Sequence, residues 1–170
     1  MSFASGHIIG GYLSGRIAEK IKNTKLPQSA WFFIILGALL PDSDFIIEWL
    51  FHTRIHRTLT HSLLFLIAVP LLTYLIFHIL KNPNKKTLAL AIGIGIFSHL
   101  ILDFCTIAGI PLFYPFPTHF SIYGLSPPSP ESFLNQDAAH LKTTLKFAVV
   151  DMALGAAFIL YLWWRKKLKF

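Results

Sequence analysis

Residues 88–107 form an apolar run long enough to cross a bilayer, and two ionisable side chains, His99 and Asp103, sit inside it. About 20 mainly apolar residues span the hydrocarbon core as a helix. A carboxylate near the middle of such a helix costs roughly 2.5–3.5 kcal/mol on insertion scales, so it is kept only with a partner or a task. The same anomaly recurs where Asp42 and Asp44 interrupt a second apolar run, and His7 and His61 fall in two further segments of helical character. Imidazoles and carboxylates drawn from separate segments are the ligand types of a metal site.

The chain is 54% hydrophobic and 14% charged, with a mean hydropathy of +0.59, whereas a soluble domain carries about 25% charged residues. The expected fold is therefore all-α: one integral membrane domain over residues 1–170, a bundle of about five helices with three or four fully spanning. The formal charge of +7 does not indicate nucleic acid, because the basic residues lie in short clusters between apolar runs, as the positive-inside rule requires. Cys105 is the single cysteine, so no internal disulfide is possible. Residues 1–6 carry no basic residue and the stretch that follows is broken by glycines and Arg16, so no removable signal peptide is expected and His7 stays in the chain.

Residues 3–21 read as a helix with a small-residue face at Gly6, Gly10, Gly11 and Gly15, a spacing that lets membrane helices approach closely. Before Arg16 it is short for a full span. Residues 31–50 are apolar but broken at Pro41, which removes a ladder donor and predicts a kink or a helix end. A polar hairpin over 51–60 leads to two spanning helices, 63–80 and 88–107, whose short basic connection makes them antiparallel neighbours. Residues 110–133 hold six prolines among Phe113, Tyr114, Phe116, Phe120 and Tyr123, which excludes regular helix and central strand and predicts a loop at the membrane interface. Residues 145–164 form a last spanning helix, closed by tryptophans and a basic terminus.

Placing the 81–86 loop in the cytoplasm also places Arg16, Lys20, Lys22, Lys25 and the basic C-terminus there, eleven of the fifteen basic residues. His7, Asp42, Asp44, His56, His61 and Asp103 then all lie towards the outer ends of their segments, with His99 one turn deeper. Unrelated polar residues would have no reason to agree on a level.

His99 and Asp103, at i and i+4, project from one helix face and can hold one ion together or pair with each other. At the proline break Asp44 is favoured as a ligand, and Asp42 is a ligand or a capping residue. His61 opens the helix that follows, with Thr58 or Thr60 as its cap. His7 lies on a stripe with Phe3, Gly10, Ser14 and Ile17. Arg57 suits a phosphate because its guanidinium donates a fork of hydrogen bonds, and beside it stands His56. His119, His140 and Asp151 are weaker candidates.

The elements Gly6-His7, Leu40-Pro41-Asp42-Ser43-Asp44, His56-Arg57-Thr58-Leu59-Thr60-His61-Ser62 and Ser98-His99-Leu100-Ile101-Leu102-Asp103 resemble the LexA-regulated, membrane-bound metal-dependent hydrolases, the YdjM-like family, over about residues 3–125. The resemblance implies an inner-membrane hydrolase. More remotely, the order of His7, Asp44, His61, His99 and Asp103 is similar to that in zinc-dependent phospholipases C and single-strand nucleases. Those enzymes complete a zinc cluster with the N-terminal amine and a second His-x-x-x-acid pair. Neither is present here, which favours one or two ions.

A mixed imidazole and carboxylate set suits Zn²⁺, with Mn²⁺ or Fe²⁺ as alternatives. The leading expectation is hydrolysis of a phosphoester in a membrane lipid or lipid-linked molecule. His7, Asp44, His61, His99 and Asp103 would bind metal, Arg57 would hold the phosphate, and Asp42 or His56 would move the proton. The alternatives are a metal or proton transporter, which needs polar residues continuing to the cytoplasmic side, and a non-catalytic scaffold with a structural metal, which needs a closed site.

Overall fold

The computed structural model describes residues 4–44, 50–51, 58–106, 108–116, 118–126, 149–150, 153–158, 160–161 and 164. These are mostly helical. Helix α1 (Ala4–Lys22) leads through a short turn into α2 (Gln28–Leu39), which ends in a 3-10 turn, Pro41–Ser43. A second 3-10 turn, Leu59–His61, precedes α3 (Leu63–Ile79), and α4 (Lys85–Phe104) follows a tight loop. A two-stranded antiparallel hairpin, β1 (His119–Ser121) and β2 (Gly124–Ser126), comes next, and the described positions of residues 149–164 are helical.

Helix α4 is the centre of the bundle and packs against α1, α2 and α3. Its crossing with α2 is a backbone contact. A Cβ on Gly37 would run into the carbonyl oxygen of Ile92, and one on Gly95 into that of Ile34. Only glycine at both positions lets the two backbones touch, the packing mode by which membrane helices associate without a hydrophobic driving force. The small-residue face of α1 is used in the same way: Gly10 faces Leu102 of α4, Gly11 faces Ala38 of α2, and Gly15 faces Trp31. The C-terminal helical segment adds itself to α1, with Gly155 against Ser5 and Phe158 edge-on to Tyr12.

The interior combines aliphatic and small side chains with a buried polar group, and the exterior of α3 and α4 is apolar. Ala30, Ile34, Ala38, Ala91, Ile92 and Ile96 fill the contact between α2 and α4. Leu64, Ile67, Leu71, Leu72, Leu75 and Ile79 run exposed along α3, joined by Leu90, Phe97 and Ile101 of α4. An uninterrupted apolar stripe of this kind is an interaction surface, and here lipid is the medium it matches.

Among the described residues α4 alone is long and apolar enough to cross a membrane. Helix α3 has 17 residues, about 25 Å at 1.5 Å per residue against a hydrocarbon core of about 30 Å. As the proline predicts, the apolar run 31–50 does not continue as one helix: Pro41 converts the end of α2 into a 3-10 turn. Nor does α3 open at His61 under a threonine cap: Ser62 is the cap, accepting from the Phe65 N–H at 3.3 Å.

The described part of the proline-rich loop lies across the start of α3 and the end of α4. Ile110 and Phe120 exchange backbone hydrogen bonds of 3.0 and 2.9 Å, Leu63 N–H donates to the Leu112 carbonyl, and Ile122 N–H donates to the Phe104 carbonyl. Phe113, Phe116, Ile122 and Tyr123 remain exposed at its tip.

Candidate metal centre

Four pieces of chain bring their ligand-type residues to one point. His7 comes from the first turns of α1 and Asp42 from the 3-10 turn that Pro41 imposes on α2. His61 comes from the 3-10 turn ahead of α3, and His99 and Asp103 from successive turns of α4. One donor atom from each of His7, Asp42, His99 and Asp103 lies within 4.8 Å of every other. His61 joins them: its Nε2 is 3.4 Å from Asp42 Oδ1, 3.4 Å from Asp103 Oδ2 and 3.2 Å from His99 Nε2. His7 Nε2 stands 3.7 Å from both Asp42 Oδ2 and Asp103 Oδ1, and His99 Nε2 is 3.6 Å from both Asp42 Oδ1 and Asp103 Oδ2.

These separations fit an ion. Ligands bonded at about 2.1 Å in a tetrahedron sit about 3.4 Å from one another. The protonation pattern fits as well. His99 Nδ1 is 2.7 Å from the Ala38 carbonyl oxygen, which can only accept, so the proton is on Nδ1 and the lone pair of the neutral ring is on Nε2, facing the group. Three imidazoles and two carboxylates with no thiolate are donors for Zn²⁺, Mn²⁺ or Fe²⁺.

The side chains of His7, His61, His99 and Asp103 are at most 2% exposed, whereas Asp42 is 21% exposed, so the group is closed on the protein side and open past Asp42. Burial works against charge on His61, but its hydrogen bonds with Asp103 and Asp42, and the charges of Asp103 and Asp44, outweigh it and hold its pKa above the ordinary imidazole value. Burial likewise would raise the Asp42 carboxyl. The hydrogen bond from His61 and the nearby imidazoles outweigh that and hold it below the usual value.

Asp42, by sequence a ligand or a cap, is the aspartate in the group, whereas Asp44, favoured as a ligand, is not. At about 3.0 residues per turn, residues two apart on a 3-10 turn point in different directions, so only one can enter the group. Asp42 enters. Asp44 lies behind His61, its Oδ2 3.8 Å from the ring's far nitrogen Nδ1 and 2.6 Å from the Thr60 hydroxyl. His56 and Arg57, expected to serve the proton and the phosphate, lie outside the described residues, as do His140 and Asp151. His119 is buried but stands in the loop, 3.2 Å from the Ala108 carbonyl. Two contributors escaped the sequence reading. By sequence Thr60 reads only as a helix cap, with its adjacency to His61 as the available signal; the Ala38 carbonyl is backbone and leaves no trace in residue type.

Fold and centre together define a helical protein of membrane character built around a buried histidine and aspartate group able to hold a metal ion. The family model described as YdjM inner membrane protein matches residues 1–168, and the chain belongs to that family. No curated protein and no solved structure matches it.

Proposed function

We propose that this protein is a multi-pass, membrane-bound metal-dependent hydrolase acting on a phosphoester of a lipid or lipid-linked substrate. The observation that carries the reading is the asymmetry of the centre: five donor groups converge, four closed off in the protein and the fifth, Asp42, reaching the surface. His7, Asp42, His61, His99 and Asp103 would hold the ion. A bound Zn²⁺ would lower the pKa of water to about 7 and polarise the oxygen under attack.

The remaining chemistry belongs to the chain. The Ala38 carbonyl orients His99, and the 3-10 turns at Asp42 and His61 hold those two side chains against α4. Asp42, ionised and at the mouth, is the group placed to take a proton from an incoming water or pass one to a leaving oxygen. The exposed aromatic tip of the loop and the apolar faces of α3 and α4 hold this mouth at the level of lipid head groups. The basic 81–86 loop faces the cytoplasm and the centre faces the outer leaflet.

A transporter would need polar groups on the inner side of the centre. Among the described residues, Thr73 turns its hydroxyl back to the Val69 carbonyl at 2.8 Å, His78 bonds Lys85 at the far end, and the stretch of α4 between Leu88 and Ile96 is apolar. The open side at Asp42 speaks against a purely structural ion.

Metal analysis of detergent-purified protein, then turnover of phospholipid in mixed micelles with and without chelator, tests the reading. Bound metal together with chelator-sensitive release of phosphate or a phosphorylated head group is expected. Stoichiometric metal with no turnover of any phosphoester would leave a structural ion instead, and protein without metal would end the proposal.

A further inference from the structure

Thr60 occupies an unusual position between Asp44 and His61. Its hydroxyl oxygen is 2.6 Å from Asp44 Oδ2 and 3.0 Å from His61 Nδ1. A carboxylate only accepts, so the Thr60 proton goes to Asp44. A hydroxyl has one proton and two lone pairs. The contact with His61 must then run the other way, Nδ1–H donating to Oγ1. On the opposite edge of the same ring, Nε2 faces His99 Nε2, Asp42 and Asp103.

We infer that Thr60 and Asp44 are a positioning pair: they fix the His61 ring with its proton on Nδ1 and its donor atom, Nε2, aimed into the metal centre. This rests on the reading of the His and Asp group as a metal centre. The arrangement parallels the one at His99, where a backbone carbonyl does the same task. At His61 a hydroxyl is used, and a hydroxyl could equally donate to a bare Nδ1 unless its proton has another sink. Asp44, 2% exposed, supplies that sink and keeps the hydroxyl from donating to Nδ1. The pair also ties the two 3-10 turns together, since Thr60 lies in one and Asp44 closes the other. Partners of metal-bound histidines of this kind change metal affinity by roughly 10- to 100-fold.

The test uses the full chain in detergent with Thr60→Val, Thr60→Ser and Asp44→Asn. Zn²⁺ affinity measured by competition with a chromophoric chelator should fall about 10- to 100-fold in Thr60→Val. Thr60→Ser, which keeps the hydroxyl, should return it to near the parent value. Asp44→Asn should fall between. An unchanged affinity in Thr60→Val, or a loss in Thr60→Ser as large as in Thr60→Val, would overturn the inference. A second readout needs no metal: the ¹⁵N spectrum of histidine-labelled, metal-free protein at alkaline pH should show His61 protonated at Nδ1. A parent protein with the proton on Nε2 would refute the pair. Absence of Zn²⁺ binding in the parent would refute the metal reading instead, so the two failures are distinct.

Discussion

The imidazole of His7 lies flat on that of His99, ring centroids 3.6 Å apart and planes within 15°. The stack joins the start of α1 to the C-terminal part of α4, and both rings are fully buried. Each histidine therefore holds the other's orientation as well as offering a nitrogen to the centre.

From that stack follows a non-additive pair. His7→Ala and His99→Ala should each lower metal content sharply, and the double variant should lose little more than either single one, with a coupling of roughly 0.5–3 kcal/mol. Metal stoichiometry and affinity across the four proteins give the cycle. Simple additivity would mean that the rings act independently.

Proton release should accompany metal binding. His61 must be neutral to ligate, and its pKa is held above the ordinary imidazole value, so near neutral pH a larger share of the metal-free protein carries this proton. The sign is fixed: affinity falls as the pH drops through the raised His61 value and levels off above it. Asp42 is held below the usual carboxylate value and adds no dependence until more acidic pH. Calorimetry in buffers of different ionisation enthalpy counts the protons. Pure pH independence between 5 and 8 would contradict the arrangement.

The crossing of α2 and α4 should tolerate no side chain. Gly95→Ala drives a methyl into the backbone of α2, which cannot step aside, and should cost about 1–3 kcal/mol or more while shifting His99 one turn further along. Gly93→Ala meets only the Pro70 ring, at 3.2 Å, and should cost less. Thermal unfolding in detergent ranks the two.

Cys105, the one cysteine, is exposed immediately after α4. With the basic 81–86 loop inside, this end of α4 faces outwards. A maleimide that cannot cross the membrane should label Cys105 in intact spheroplasts. Labelling only after permeabilisation would reverse the orientation, and with it the leaflet at which substrate is met.

Much of this protein was present in residue order. The apolar run carrying His99 and Asp103, the break at Pro41 and the glycine face of α1 each follow from local rules: bilayer thickness, a missing N–H, and the room that a hydrogen side chain leaves. Local rules also name the residue types of the centre, because a buried charge is too costly in lipid to be incidental.

They could not decide between Asp42 and Asp44, since that choice depends on the twist of a three-residue turn docked against α4, nor assign the Thr60 proton, which depends on two partners meeting one oxygen from opposite sides. Sequence by itself determined that histidines and aspartates must gather in a helical, membrane-type fold. Only the tertiary structure decided which atoms face the common point, because donor direction is set by contacts between segments far apart in the chain.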